Sequence, residues 1–206
     1  MSPFDYLKDN QETLHSLSNS NDANAFYAQE ANRFITIAGT ILANQDTLLD
    51  VDSVDARYIS HILSRSLIEN FFKVIYIFDS ESDKEDRYQL LVKDFQKTYK
   101  KLMDEEFLPH KDKLEPAKEE WRNNKSYLDI RSMLGQVKNN HGDKLDYLYF
   151  IYRITSFDTH GNNLKAILSN AFNKEKMNFP ILYLEEAFNI IADEYICILN
   201  QLKSAE

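Results

Sequence analysis

Between Ala23 and Phe78 the chain contains one glycine and no proline, and the whole sequence of 206 residues holds only four of each. Sheet proteins turn often, and tight turns draw heavily on those two residues. A chain this poor in breakers must run in long uninterrupted elements, and its periodicity says which kind. Phe26, Ala31, Phe34, Ile35, Ile37, Ala38, Ile41 and Leu42 recur at three and four, the spacing of one helical face. No segment alternates long enough to suggest a strand, and no repeat is present. The expected architecture is all-α: a single-domain helical bundle of about six to eight helices covering residues 1–206.

The boundaries follow from capping chemistry. Ser2, Pro3 and Asp5 open a helix running to Leu17, because serine caps, proline suits the first turn and an acid suits the positive end. A second helix is expected over 23–49 and a third over 54–78, capped from Asp50 to Ser53. Ser82 and Glu85 have the spacing of a capping box for a fourth helix ending near Met103. Residues 104–125 form a charged insertion with Pro109 and Pro116, enclosing a short helix near 117–122 that Trp121 pins to the body. Ser126 and Asp129 open a short helix ending near Lys138, and a turn around His141 follows. The last helices are expected over 144–159 and 180–203, with 163–173 as either a further helix or a continuation.

Composition narrows the function classes. Hydrophobic residues make up 43% and charged residues 28%, a globular balance. The net charge of −9 disfavours a broad nucleic-acid or anionic-membrane surface, which needs a basic face. The N-terminus carries neither the basic nor the apolar segment of a signal peptide, and no apolar run approaches the roughly 18 residues of a membrane span. A cytoplasmic protein without membrane partners is the expectation. The single cysteine, Cys197, rules out an intrachain disulfide; its apolar neighbours suggest a buried thiol acting as a small hydrophobe.

Two helices carry the candidate site. On the third, at about 100° per residue, Leu63, Leu67, Phe71, Val74 and Phe78 form one stripe, while Ile62, Arg65, Glu69, Phe72 and Tyr76 lie nearly opposite. A helix apolar on two sides is central to its bundle. Arg65 and Glu69 are then partly buried, and buried charges persist only when paired and hydrogen-bonded. His61 lies close to the same face. On the later helix, Tyr147, Leu148, Phe150, Ile151, Ile154 and Phe157 cover the apolar side, while Tyr149, Tyr152, Arg153, Ser156 and His160 share the other. That second stripe has no lysine or glutamate and two tyrosines, which suits a cleft or interface better than a solvated face. Gly161 can end the helix in a left-handed cap, placing His160 on the last turn, where the dipole favours its protonated form.

The segment from Arg65 to Ile77, followed by Tyr152, Ser156 and His160, resembles an uncharacterised family of bacterial all-helical proteins with an arginine and glutamate one turn apart on one helix and a Tyr…Ser…His segment on a later one. The resemblance covers these two helices and implies the constellation, not a reaction. A looser resemblance is to the HEPN superfamily of helical domains, many of them metal-independent ribonucleases of defence and toxin–antitoxin systems. Their motif is a histidine a short gap after an arginine, the form that Arg153 and His160 take here. That resemblance implies that His160 moves a proton at the ribose hydroxyl or leaving oxygen, that Arg153 stabilises phosphate charge, and that the site is shared across a dimer. Where many members carry a polar residue after the arginine, this chain has Ile154. A basic stripe of Lys93, Lys97, Lys100 and Lys101 on the fourth helix reads as a solvated face.

No phosphate loop, dinucleotide fingerprint, nucleophile elbow or metal-ligating helix motif occurs, so neither cofactor nor metal is expected. Three readings stay open. The first is a binding or interaction protein, homodimeric or holding a small ligand or protein partner, in which Arg65, Glu69, Tyr76, Tyr149, Tyr152 and Ser156 form a polar network. The second is a HEPN-like ribonuclease acting on RNA through Arg153 and His160. The third is a small-molecule enzyme with a pocket of Arg65, Glu69 and His160.

Overall fold

The computed structural model describes residues 1–50, 53–138, 142–159 and 182–205. His141, His160 and the expected helix over 163–173 lie outside the described residues. The chain is all-α, and no strand occurs among the described residues. The helices among the described residues are α1 (Pro3–Asp9), α2 (Gln11–Leu17), α3 (Ala23–Ala43), α4 (Gln45–Leu48), α5 (Val54–Phe78), α6 (Lys84–Asp104), α7 (Ile130–Leu134), α8 (Lys144–Thr159) and α9 (Leu184–Ala205). Short 3-10 turns occupy Lys111–Lys113 and Glu119–Asn123.

Local chemistry explains most of the boundaries. Ser2 and Asp5 form a reciprocal capping box at α1. The expected helix to Leu17 is broken at Asn10, which ends α1 and begins α2, its side chain bonded back to the Tyr6 carbonyl. The long second helix likewise stops at Ala43, with Asn44 between it and α4. The Ser82–Glu85 capping box does not form. Asp83 precedes α6 instead, and Ser82 hydrogen-bonds to Asp83 rather than to the helix. Asp129 caps α7 by accepting from the Ser132 amide at 2.8 Å, but that helix ends at Leu134, four residues short of the expected Lys138.

The chain separates into two compact units. Unit 1 holds residues 1–74 and 139–206, and unit 2 holds residues 75–138. The core of unit 1 is a chain of rings. Tyr195 of α9 meets Phe34 and Tyr27 of α3 and Phe71 of α5 edge-on, at 5.5, 5.8 and 5.6 Å between centroids. Phe34 extends the cluster to Phe4 and Phe188. Edge-to-face pairs add stability beyond the area they bury, on the order of 1 kcal/mol each. The Tyr27 hydroxyl donates to the Tyr195 carbonyl at 2.6 Å, which satisfies a buried phenol and ties α3 to α9. Burial raises the pKa of both tyrosines and keeps them protonated.

Unit 2 is held differently. Lys100 is buried, and its ammonium donates to Asp104 and Glu119 at 2.7 and 2.6 Å. Arg122 joins the same web through Asp104 at 2.8 Å. Trp121, in the second 3-10 turn, lies half-buried and tilted on Tyr99, whose hydroxyl donates to the Glu115 carbonyl. The charged insertion is thus fastened to α6 by ion pairs and rings rather than by a large apolar core.

Candidate functional site

The site begins with a guanidinium that cannot be left dry. Arg65 sits on α5 among buried neighbours, and its side chain is 19% exposed. From there it reaches α8. Its Nη1 donates to the Tyr152 carbonyl at 3.1 Å and to the Ser156 hydroxyl. Its Nη2 donates to the Tyr152 hydroxyl at 3.1 Å, and the guanidinium lies over that ring, 4.2 Å from the centroid. Hydrogen bonds from a charged donor contribute about 1.5–3 kcal/mol each, and a ring face adds a cation–π attraction. Tyr152 is braced on its other sides by Phe72, edge-on at 6.0 Å, and by Tyr149, stacked at 6.1 Å. Partial burial, and after it the Glu69 charge, raise the Tyr152 pKa against the pull of Arg65.

Glu69 is less of a partner than its spacing suggests. It stands 4.0 Å from Arg65 but 3.2 Å from Lys73, which also reaches Asn70 at 3.2 Å. The arginine therefore looks mainly to neutral oxygens of α8, and the glutamate mainly to the next lysine on its own helix. His61 is buried one turn before Arg65. Tyr76 belongs to unit 2, where Arg87 lies 4.4 Å over its ring and its hydroxyl donates to Gln136 at 3.2 Å.

This contact reorients α8. Leu148, Ile151 and Thr155 are buried, and Tyr152 and Ser156 are half-buried beside them. The expected apolar side is wrong for two of its members: Phe150 is 44% exposed and Phe157 56%. Arg65 bonds to the Tyr152 and Ser156 edge on the inward side, and the two phenylalanines fall on the outward side. Asp146 and Arg153 are exposed on the same outward side. The sequence held a signal for this: those two charges lie within about 60° of both phenylalanines on the helical wheel.

Two further expectations are corrected. Cys197 is exposed, not buried, because α9 buries Tyr195, Ile198 and Leu199 and turns residue 197 outward. Partial desolvation, with Glu194 and Asp193 close by, raises its pKa. The lysines of α6 are not a uniform solvated stripe, since Lys100 is buried in its acidic web and Lys97 donates to Ser126. Lys93 and Lys101 remain exposed.

Sequence reasoning missed a cavity of about 550 Å³ at the start of α9, lined by leucines 49, 182 and 184 with Tyr183, Glu185, Glu186 and Asn189. Its acids occupy the first turn of the helix, where the dipole favours them, and Asn189 is engaged by the Phe4 amide. None of the residues singled out from the sequence lines it. Among the described residues no group of three or more His, Cys, Asp or Glu could hold a metal, and no helix is long and apolar enough to cross a membrane. Comparison with family models, with curated proteins and with solved structures returns no match.

Proposed function

We propose that the chain is a cytoplasmic binding or interaction protein that engages its partner through the outward face of α8. One observation carries this reading: α8 turns its polar edge into the molecule and its phenylalanines out. Aromatic residues and arginine are the side chains that dominate binding energy in protein interfaces, while lysine and glutamate are depleted there. Phe150, Arg153 and Phe157 make such a surface, with Arg153 as its cation. The Arg65 network serves as the brace behind it. Three of its five guanidinium N–H donors are taken up by Tyr152 and Ser156, which disfavours a catalytic pocket built on Arg65, Glu69 and His160.

The test is the unfolding free energy of Phe150→Ser and Phe157→Ser in urea, at protein concentrations low enough to exclude association. A core phenylalanine loses about 3–5 kcal/mol when truncated, whereas a docking-face residue loses less than about 0.5 kcal/mol. Core-sized losses at both positions would contradict the reading.

A second reading keeps one observation in its favour. Arg153 is exposed and free to meet a phosphate, as a HEPN-like ribonuclease of bacterial origin would require of it and His160. Metal-free RNA cleavage by the purified protein, lost in His160→Ala, would establish that reading. No cleavage, or equal cleavage by the variant, would remove it.

A further inference from the structure

The outward pole of α8 has an arrangement that fits its own copy. Asp146, Phe150, Arg153 and Phe157 are all exposed and fall within about 60° of one another on the helix. Along the axis the order is acid, ring, base, ring. Asp146 and Arg153 are about 10 Å apart, at 1.5 Å rise per residue. We propose that this face binds a second copy of the chain, α8 against α8, antiparallel about a two-fold axis beside Phe150. The inference rests on the outward-face reading above and names its partner.

The symmetry makes the argument specific. In an isologous contact, if one position meets another, the reverse contact also forms. Placing the axis between Tyr149 and Phe150 sets Arg153 against Asp146 of the second copy, twice. The two Phe150 rings then meet near the axis, where solvent is excluded. The same register carries Phe157 just past Lys144, the first residue of the second copy's α8. A parallel pairing would instead put arginine beside arginine and acid beside acid. A different protein partner would need its own acid and apolar surface, whereas the second copy supplies both from the same four residues.

The helix is about 24 Å long, so a single helix pair buries an area at the low end for specific contacts. The dimer is therefore weak and reversible, with a dissociation constant on the order of 1–100 µM.

Sedimentation velocity of the full chain across roughly 1–300 µM tests this, a range that brackets the expected constant. A concentration-dependent monomer–dimer equilibrium is expected. Arg153→Asp and Asp146→Arg should each weaken it by about ten-fold or more, since each places like charges together twice, and the double variant R153D/D146R should recover to within about three-fold of wild type. A wild-type monomer at the highest concentration, or a dimer indifferent to either single reversal, would overturn the proposal. Circular dichroism verifies that each variant is folded. If the double variant fails to fold, Phe150→Cys in a Cys197→Ser background decides: oxidation should join two chains through Cys at 150, while Lys93→Cys in that background should not crosslink. Equal crosslinking at both positions overturns the proposal. Stability losses of core size at Phe150 and Phe157 would instead remove the outward-face reading itself, so the two failures are distinguishable.

Discussion

Arg65 and Arg87 meet the same kind of partner in different surroundings. Each lies over a tyrosine ring, Arg65 at 4.2 Å from the Tyr152 centroid and Arg87 at 4.4 Å from that of Tyr76. Each also donates to the backbone carbonyl of that same tyrosine. Arg87 does this across a short connection, beside Asp79 and Asp83, both at 3.7 Å. Arg65 does it across 87 positions of sequence, with a hydroxyl and a carbonyl where Arg87 has carboxylates. The first is a local clamp between consecutive helices, and the second fixes the rotation of a distant helix. An arginine among buried neighbours is thus better read by what it satisfies than as a vacant anion site. Arg153, exposed on the outward side of α8, is the contrasting case.

The comparison can be broken most severely at Arg87. The Asp79 side chain has no solvent exposure and lies 3.7 Å from the Arg87 guanidinium, a cation that Arg87→Ala removes while the Lys138 amide still donates to Asp79 at 2.9 Å. Urea unfolding should show a loss of about 3–5 kcal/mol, the usual consequence of removing one partner of a buried ion pair; a loss under about 1 kcal/mol would show that the clamp is incidental. Arg65→Met should lose less, about 2 kcal/mol, because the oxygens it leaves behind are neutral and Ser156 already bonds to the Tyr152 carbonyl at 2.9 Å. Tyr27→Phe, which removes the buried hydrogen bond to the Tyr195 carbonyl and no charge, should cost about 1 kcal/mol and calibrates the other two.

Acid separates the regions without mutation. The Asp104 pKa is lowered from 3.8, first by the Lys100 hydrogen bond and then by Arg122. Asp129 is lowered likewise, first by the Ser132 amide. Such groups stabilise fully above their unfolded value, and the contribution disappears as pH falls through the lower folded value. Below about pH 4 the web around Lys100 should therefore loosen. Trp121 is the sole tryptophan and stands in that web's 3-10 turn, so its fluorescence reports the change directly. The bonds of Arg65 to Tyr152 and Ser156 contain no carboxylate and should persist at a pH where Trp121 has already responded. Simultaneous loss of both would erase the distinction.

What was legible in the sequence divides along the same line. Helix 54–78 was readable end to end, since no breaker interrupts it and its apolar residues surround it. The approach of Arg65 to the Tyr152 and Ser156 edge was one of several open readings, and the Glu69 partner that helical spacing offered instead stands 4.0 Å away. The rotation of α8 was not, since Phe150 and Phe157 suit a core by composition, and only a contact from another helix turns them out. The Asn10 and Asn44 interruptions escaped because asparagine stops a helix without the plain mark of glycine or proline. Cys197 was misplaced because successive helical residues point about 100° apart, so a buried Ile198 beside it in sequence does not bury residue 197.

The most direct measurement is a double-mutant cycle between Arg65→Met and Ser156→Ala, read as unfolding free energy. The account predicts a coupling of about 1 kcal/mol or more, since each substitution removes the other's partner. Strict additivity would mean that the guanidinium and the serine do not meet, and with that contact would go the orientation of α8 and the outward face built on it.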